Sequence, residues 1–136
     1  MKVEGGCLCG KVRYSGEAEP IFMGVCHCTT CQKGTGTAFN AVVAVPKPAV
    51  SLSGVVSTYE GCGDTGNATY RRFCPSCGSP VQVEAAVMPD VVMIPVGTLD
   101  DSGAVSPAMQ IYCDSARPWA LLGEGIERFP KMPMPG

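Results

Sequence analysis

Charge is scarce in this chain. Only 16% of its 136 residues are Asp, Glu, Lys or Arg, and the formal net charge is -2. That excludes the basic footprint of a nucleic-acid binder and a polybasic contact with anionic membrane. Long apolar runs are missing as well. The opening stretch "MKVEGGCLCG" has no apolar segment that could serve as a signal peptide, and no stretch is long and apolar enough to span a bilayer. No amphipathic helical pattern exceeds two turns, and there is no internal repeat or low-complexity segment. These absences predict a soluble, cytoplasmic protein without nucleic-acid or membrane partners.

What is abundant is punctuation. Seventeen Gly and twelve Pro in so short a chain imply many turns and short strands. Eight stretches rich in Val, Thr and aromatics read as strands: 11–16, 20–27, 37–45, 49–54, 55–60, 68–73, 80–87 and 90–97. Pro46 and Pro48 split the longest apolar region in two, because proline cannot donate to a sheet ladder. Residues 115–123, "SARPWALLG", are the best place for a short helix or turn, and 129–136 read as an irregular, Pro-rich tail. The length fits one mainly-β domain over 1–136.

Nine cysteines in a chain with these features predict metal ligands or reactive thiols rather than a disulfide framework, which would leave one thiol over. Seven fall into patterns: Cys7 and Cys9 in a CxC, Cys26, Cys28 and Cys31 in a CxCxxC, and Cys74 and Cys77 in a CxxC. Gly10 and Gly78 follow two of these patterns, where a tight turn would aim the sulfurs at one point. Thiolate sets of this kind select zinc. Seven thiolates do not divide into two closed four-cysteine sites. Four would close a structural site, and three would leave a zinc with an open position, as catalytic zinc sites have. Cys62, Cys113 or His27 could supply an eighth ligand. Spacing leaves two pairings: Cys28, Cys31, Cys74 and Cys77 closed with Cys7, Cys9 and Cys26 open, or Cys7, Cys9, Cys74 and Cys77 closed with Cys26, Cys28 and Cys31 open.

The segments "GGCLCGKVRY", "CHCTTCQKGTGTAF", "RRFCPSCGSPV", "VGTLDD" and "RPW", in this order, resemble the glutathione-dependent formaldehyde-activating (GFA) family from Gly6 to Trp119. The resemblance implies a β-tent fold of small antiparallel sheets around zinc. It also implies the second pairing, with Cys7, Cys9, Cys74 and Cys77 structural and Cys26, Cys28 and Cys31 at a catalytic zinc. An open three-thiolate site holds its zinc less securely than a closed one, so this zinc is expected to be labile. Glutathione as co-substrate comes from the resemblance too. Gln110 departs from it, standing where many relatives carry His.

An open three-thiolate zinc suits sulfur chemistry. Three thiolates over-neutralise Zn²⁺ and weaken its pull on bound water, so hydrolysis is the less natural task. A substrate thiol can instead enter as fourth ligand and lose its proton, and the thiolate is the nucleophile. Addition to formaldehyde or a related electrophile gives an S-hydroxymethyl adduct, and the reverse is carbon–sulfur lyase chemistry. Lys33, Arg71 and Arg72 are candidates for the carboxylates of such a thiol. Arg71 and Lys33 are preferred, Arg71 because the resemblance implies it, matching an Arg that the family places just before its "FC". His27, between two ligands, is expected to point away from the metal. Thr35 and Thr37 line a pocket or form a turn, and Asp100 or Asp101 caps backbone amides. Two other functions compete: a non-enzymatic zinc module for protein partners, and a thiol sensor built on the open cysteines.

Overall fold

A computed structural model describes residues 1–123 and 125–133. In chain order its elements are β1 (Gly5–Gly6), β2 (Arg13–Gly16), β3 (Phe22–Cys26), α1 (Thr29–Thr35), β4 (Asn40–Pro46), β5 (Val50–Ser53), β6 (Ser57–Cys62), β7 (Ala68–Phe73), β8 (Pro80–Ala85), β9 (Val91–Pro95), β10 (Met109–Ile111) and β11 (Glu127–Arg128). The molecule is mainly β, as expected, and each of the eight anticipated strand regions contains a strand. The proline pair acts as a corner. Pro46 ends β4, a 3-10 turn covers Lys47–Ala49, and β5 then enters a different sheet.

Strands β1, β2 and β5 form a three-stranded antiparallel sheet, and the other eight form a second sheet in the order β11-β10-β3-β4-β9-β8-β7-β6. That sheet is larger than the small sheets expected and is not wholly antiparallel, since β10 runs parallel to both β3 and β11. A bulge in β7 at Arg72/Phe73 breaks the register with β8 just before Cys74.

The two sheets enclose an apolar core. Tyr14 of β2 packs with Val43 and Val45 of β4, Val92 and Ile94 of β9, and Val3 and Leu99. Burying each Val or Ile side chain contributes roughly 1.5–3 kcal/mol. Strand β4 is buried at nearly every position, as befits the middle of a sheet with both faces covered. A second cluster, Cys7, Val12, Cys74 and Val81, continues this core, and Leu52 packs against both.

On β7 and β8, polar side chains occupy one face. Glu84 is buried between Lys47 Nζ at 3.0 Å and Arg72 Nη1 at 2.9 Å. These three, with Gln82, Val50, Leu52 and Val92, line a cavity of about 210 Å³. The expected 115–123 helix or turn is met by two 3-10 turns, Cys113–Ser115 and Pro118–Ala120. The tail is irregular from Phe129 but tied down. Tyr112, Cys113 and Asp114 donate backbone hydrogen bonds to the carbonyls of Lys131, Phe129 and Pro130. Residues 134–136 of the expected tail lie outside those described.

Candidate metal centres

Cys7, Cys9, Cys74 and Cys77 meet at one point, brought there by two tight turns. In the first, Gly10 N–H donates to the Cys7 carbonyl at 3.2 Å and Cys7 N–H to the Val12 carbonyl at 3.0 Å. In the second, Gly78 N–H donates to the Cys74 carbonyl at 2.8 Å and Cys74 N–H to the Ser79 carbonyl at 3.0 Å. Both glycines adopt the left-handed conformation, Gly10 at φ 82° and Gly78 at φ 79°, so each turn needs a residue without Cβ strain. Ser79 joins the turns, because its Oγ accepts from Leu8 N–H at 3.0 Å and lies 3.3 Å from Cys77 Sγ.

The sulfurs are spaced for a metal. Cys9 Sγ lies 3.6 Å from Cys7 Sγ and 3.7 Å from Cys74 Sγ. Zinc–sulfur bonds of about 2.3 Å in a tetrahedron put neighbouring sulfurs about 3.8 Å apart. The donor set and spacing therefore fit a closed thiolate zinc. Val12 N–H donates to Cys7 Sγ at 3.3 Å. That contact supports a negative sulfur, and it and the neighbouring Cys9 and Cys74 thiols hold the Cys7 thiol below its usual range against the opposing effect of burial. Ser79, by side chain and then backbone, brings Cys77 down to about 5.

Cys26, Cys28 and Cys31 form the second group, all three sulfurs lying within 4.8 Å of one another. They come from two elements. Cys26 ends β3, Cys28 caps α1, and Cys31 lies in its first turn. The Cys28 sulfur is the cap itself, accepting from Cys31 N–H at 3.2 Å. Helix α1 closes at Gly36, φ 73°, whose N–H donates to the Gln32 carbonyl. Thr35 Oγ1 donates to the Cys31 carbonyl at 2.8 Å and Thr37 Oγ1 to the Phe39 carbonyl at 2.6 Å, so these threonines build the helix end and the turn after it.

The three thiols shift one another in opposite directions. Cys28 is pushed down to about 2, first by the Cys26 and Cys31 thiols, against burial, and then by Cys31 N–H and the Arg71 charge. Cys26 is driven far above its usual range by Cys28, then Cys31, then burial. Arg71, from β7, reaches the cluster, with Nη2 3.6 Å from Cys31 Sγ. Arg72, its neighbour, points to the opposite face of β7 and to Glu84. Lys33 sits on another side of α1, bordering an open groove of about 680 Å³ with Thr29, Arg117 and the exposed Trp119, and makes no hydrogen bond to a thiol among the described residues.

The remaining candidates fall outside both groups. His27 is fully buried, its ring edge against Phe39 and its Nε2 3.1 Å from Gln110 Oε1. Leu122 N–H also donates to that oxygen, at 2.8 Å, so the oxygen is an acceptor and His27 Nε2 carries the proton. Gln110 thus ties His27 to the 122 backbone and is not part of the thiol cluster. Cys62 is exposed, and Cys113 Sγ lies 3.5 Å from the Gln110 carbonyl. Neither joins a thiol group among the described residues. Asp101 Oδ1 accepts from Gly103 N–H at 2.9 Å, the turn expected of it, whereas Asp100 pairs with Arg13.

Sequence reasoning passed over Gly34, against which the Arg71 guanidinium lies, and the Tyr112–Asp64 hydrogen bond of 2.9 Å. Tyr112 stands next to Ile111, which is paired with Cys26, and is the one non-glycine described residue with positive φ, 55°. Nothing in the local sequence marks either contact.

A mainly-β scaffold carrying one closed and one three-sided group of thiols defines a class of cysteine-rich proteins equipped to bind metal. More particularly, the chain belongs to the glutathione-dependent formaldehyde-activating enzyme family, whose model matches residues 2–115. It is similar to an uncharacterised lyase of Schizosaccharomyces pombe, 32% identical over 76 residues, which cover 56% of this chain and 53% of that one. The matched segment thus spans about half the length of that relative. A Rhodobacter sphaeroides protein of known crystal structure shares the fold, with a TM-score of 0.59 and 20% identity, over 76% of this chain and 91% of that one.

Proposed function

We propose that this protein is a zinc-dependent carbon–sulfur lyase that adds a thiol, glutathione by the family's description, to formaldehyde or a related small electrophile, and reverses that addition. The observation that carries the reading is the unequal pair of thiol groups. Cys7, Cys9, Cys74 and Cys77 bring four sulfurs within 4.8 Å of one another, enough donors to close a site. Cys26, Cys28 and Cys31 supply three, and among the described residues no fourth donor joins them. The lyase name of the Schizosaccharomyces pombe relative supports the same reaction class. We read residues 1–136 as one zinc-binding domain, since Leu52 packs into both core clusters.

Cys26, Cys28 and Cys31 would hold the reactive zinc, which supplies a Lewis-acidic position where a substrate thiol loses its proton. The chain's part is to hold the three sulfurs in place. The β3 end fixes Cys26, the capped turn fixes Cys28 and Cys31, and Thr35 ties the Cys31 carbonyl. In the addition, the thiol proton leaves to solvent, the thiolate electron pair forms the C–S bond, the carbonyl π pair moves to oxygen, and solvent returns one proton to that oxygen. The net change is thiol plus aldehyde to S-hydroxymethyl thioether. The reverse breaks the same bond and returns the thiolate. A cytoplasmic setting would keep these half-buried thiols reduced.

The test is exchange between ¹³C-formaldehyde and its glutathione adduct, followed by NMR, with metal content measured on the same sample. Two zincs per chain and exchange faster than in buffer, abolished by Cys28→Ser, are expected. Two zincs with exchange at the uncatalysed rate would sink the enzyme reading.

A further inference from the structure

Arg71 is a cation with no carboxylate partner among the described residues. Its neighbour Arg72 takes Glu84 on the other face of β7, while Arg71 lies against Cys31 Sγ at 3.6 Å. It reaches that place over α1, and the helix is shaped for it. A Cβ at position 34 would fall 2.8 Å from Arg71 Nη1 and 3.0 Å from its Cζ. Gly34 needs no special backbone conformation. Its φ is not positive, and the left-handed residue that ends α1 is Gly36. Glycine is nonetheless one of the poorest residues for a helix interior. Its presence within a seven-residue helix is therefore accounted for by the guanidinium resting on it.

Resting on the reading that Cys26, Cys28 and Cys31 hold an open zinc, we propose that Arg71, seated on the bare Cα of Gly34, is a positioning residue. It holds Cys31 and neutralises the three-thiolate centre, so that the open position accepts an anionic sulfur. Three thiolates and Zn²⁺ carry a formal charge of about -1, which repels a fourth thiolate. The guanidinium cancels that charge at contact distance and donates to a ligating sulfur, as groups bonded to metal ligands commonly do. This differs from the role expected of Arg71 from sequence, contact with a substrate carboxylate. The two roles separate when the thiol has no carboxylate.

The experiment uses the full chain loaded with Co²⁺, whose thiolate charge-transfer absorption reports its ligands. It is titrated with glutathione and, separately, with uncharged 2-mercaptoethanol. Retention of cobalt against a chelator is measured in parallel. In Arg71→Gln we expect both thiols to bind more weakly by the same factor, about tenfold to a hundredfold, and cobalt at one site to be lost more readily by a similar factor. Gly34→Leu, which keeps the charge but occupies its seat, should reproduce this, and Gly34→Ala should do so in part. Circular dichroism identifies any variant that has not folded, and Gly34→Ala, a better helix former, remains the usable probe if Gly34→Leu fails. Arg71→Lys should restore part of the loss, through charge without the fork.

Loss of glutathione binding alone, with 2-mercaptoethanol unaffected, would overturn the proposal and make Arg71 a carboxylate contact. Unchanged cobalt retention and unchanged binding of both thiols would also overturn it. Wild-type cobalt that ignores both thiols would sink the reading of the preceding section. Weaker retention in Arg71→Gln and Gly34→Leu would then still establish Arg71 as holding the metal's ligand, and equal retention would remove it.

Discussion

Cys7 and Cys74 belong to an apolar core cluster with Val12 and Val81, whereas Cys26, Cys28 and Cys31 are half-buried at the junction of β3 and α1. The first group joins segments far apart in the chain, Cys74 lying 65 positions after Cys9. The second lies within six consecutive residues. A cross-link across a long loop removes more freedom from the unfolded chain than one across a short loop. A metal at the first site would therefore act mainly on the fold. A metal at the second would change the fold little and leave a side open to other molecules. On the proposed reading, seven similar sulfurs divide between two tasks according to what they connect and what covers them.

The strongest way to break this comparison is Cys74→Ser. Structural zinc contributes roughly 10–16 kcal/mol of apparent binding energy, as much as the whole stability of a small domain. We expect the variant to be insoluble or to lack a cooperative thermal transition in circular dichroism. A soluble variant melting like wild type would show that the closed group does not hold the fold together.

Glu84→Gln comes next. It sits on β8, away from both thiol groups, and removes the carboxylate shared by Lys47 and Arg72. A charge left unpaired in a buried site costs several kcal/mol. Lys47 is half exposed here and Arg72 partly so, which brings the expected loss to about 2 kcal/mol in urea denaturation. Metal content should stay at wild-type level. Loss of metal along with stability would mean that the closed site depends on the polar face of β8 and that the two regions are not separable.

The strands were legible because they are β-rich stretches cut by Gly and Pro, and both glycine turns were legible because CxxCG and CxCG each place a flexible residue directly after a cysteine. Helix α1 was not. "TTCQKGT" opens on β-branched residues and contains Gly34, so its propensity is poor, and what holds it is the Cys28 sulfur cap, the Gly36 turn and the packed Arg71. Strands β10 and β11 were missed because they are three and two residues long and pair in parallel across distant sequence. Arg71 was found by resemblance, but its neighbour was not, since a contact between β7 and α1 leaves no local pattern. His27 and Gln110 show the reverse case. A histidine between two cysteines invites a ligand reading, and the fold turns it inward to an amide.

The smallest effects on stability are expected at Cys28, and they test the comparison most finely. This sulfur would have two jobs, ligating metal and capping α1, and two substitutions separate them. Serine oxygen is a good cap and would accept from Cys31 N–H in place of sulfur, whereas alanine cannot. An N-cap lost to alanine costs about 1 kcal/mol, and a retained one only a few tenths at most. Both Cys28→Ser and Cys28→Ala should lose one metal equivalent, Cys28→Ser at nearly wild-type stability and Cys28→Ala about 1 kcal/mol below it. Equal stability of the two would remove the cap from the account of α1. A Cys28→Ser protein that kept both metals would return the choice of ligands to the other pairing of seven thiols. A Cys28→Ser protein as unstable as Cys74→Ser would mean that the three-sided group, like the closed one, belongs to the fold.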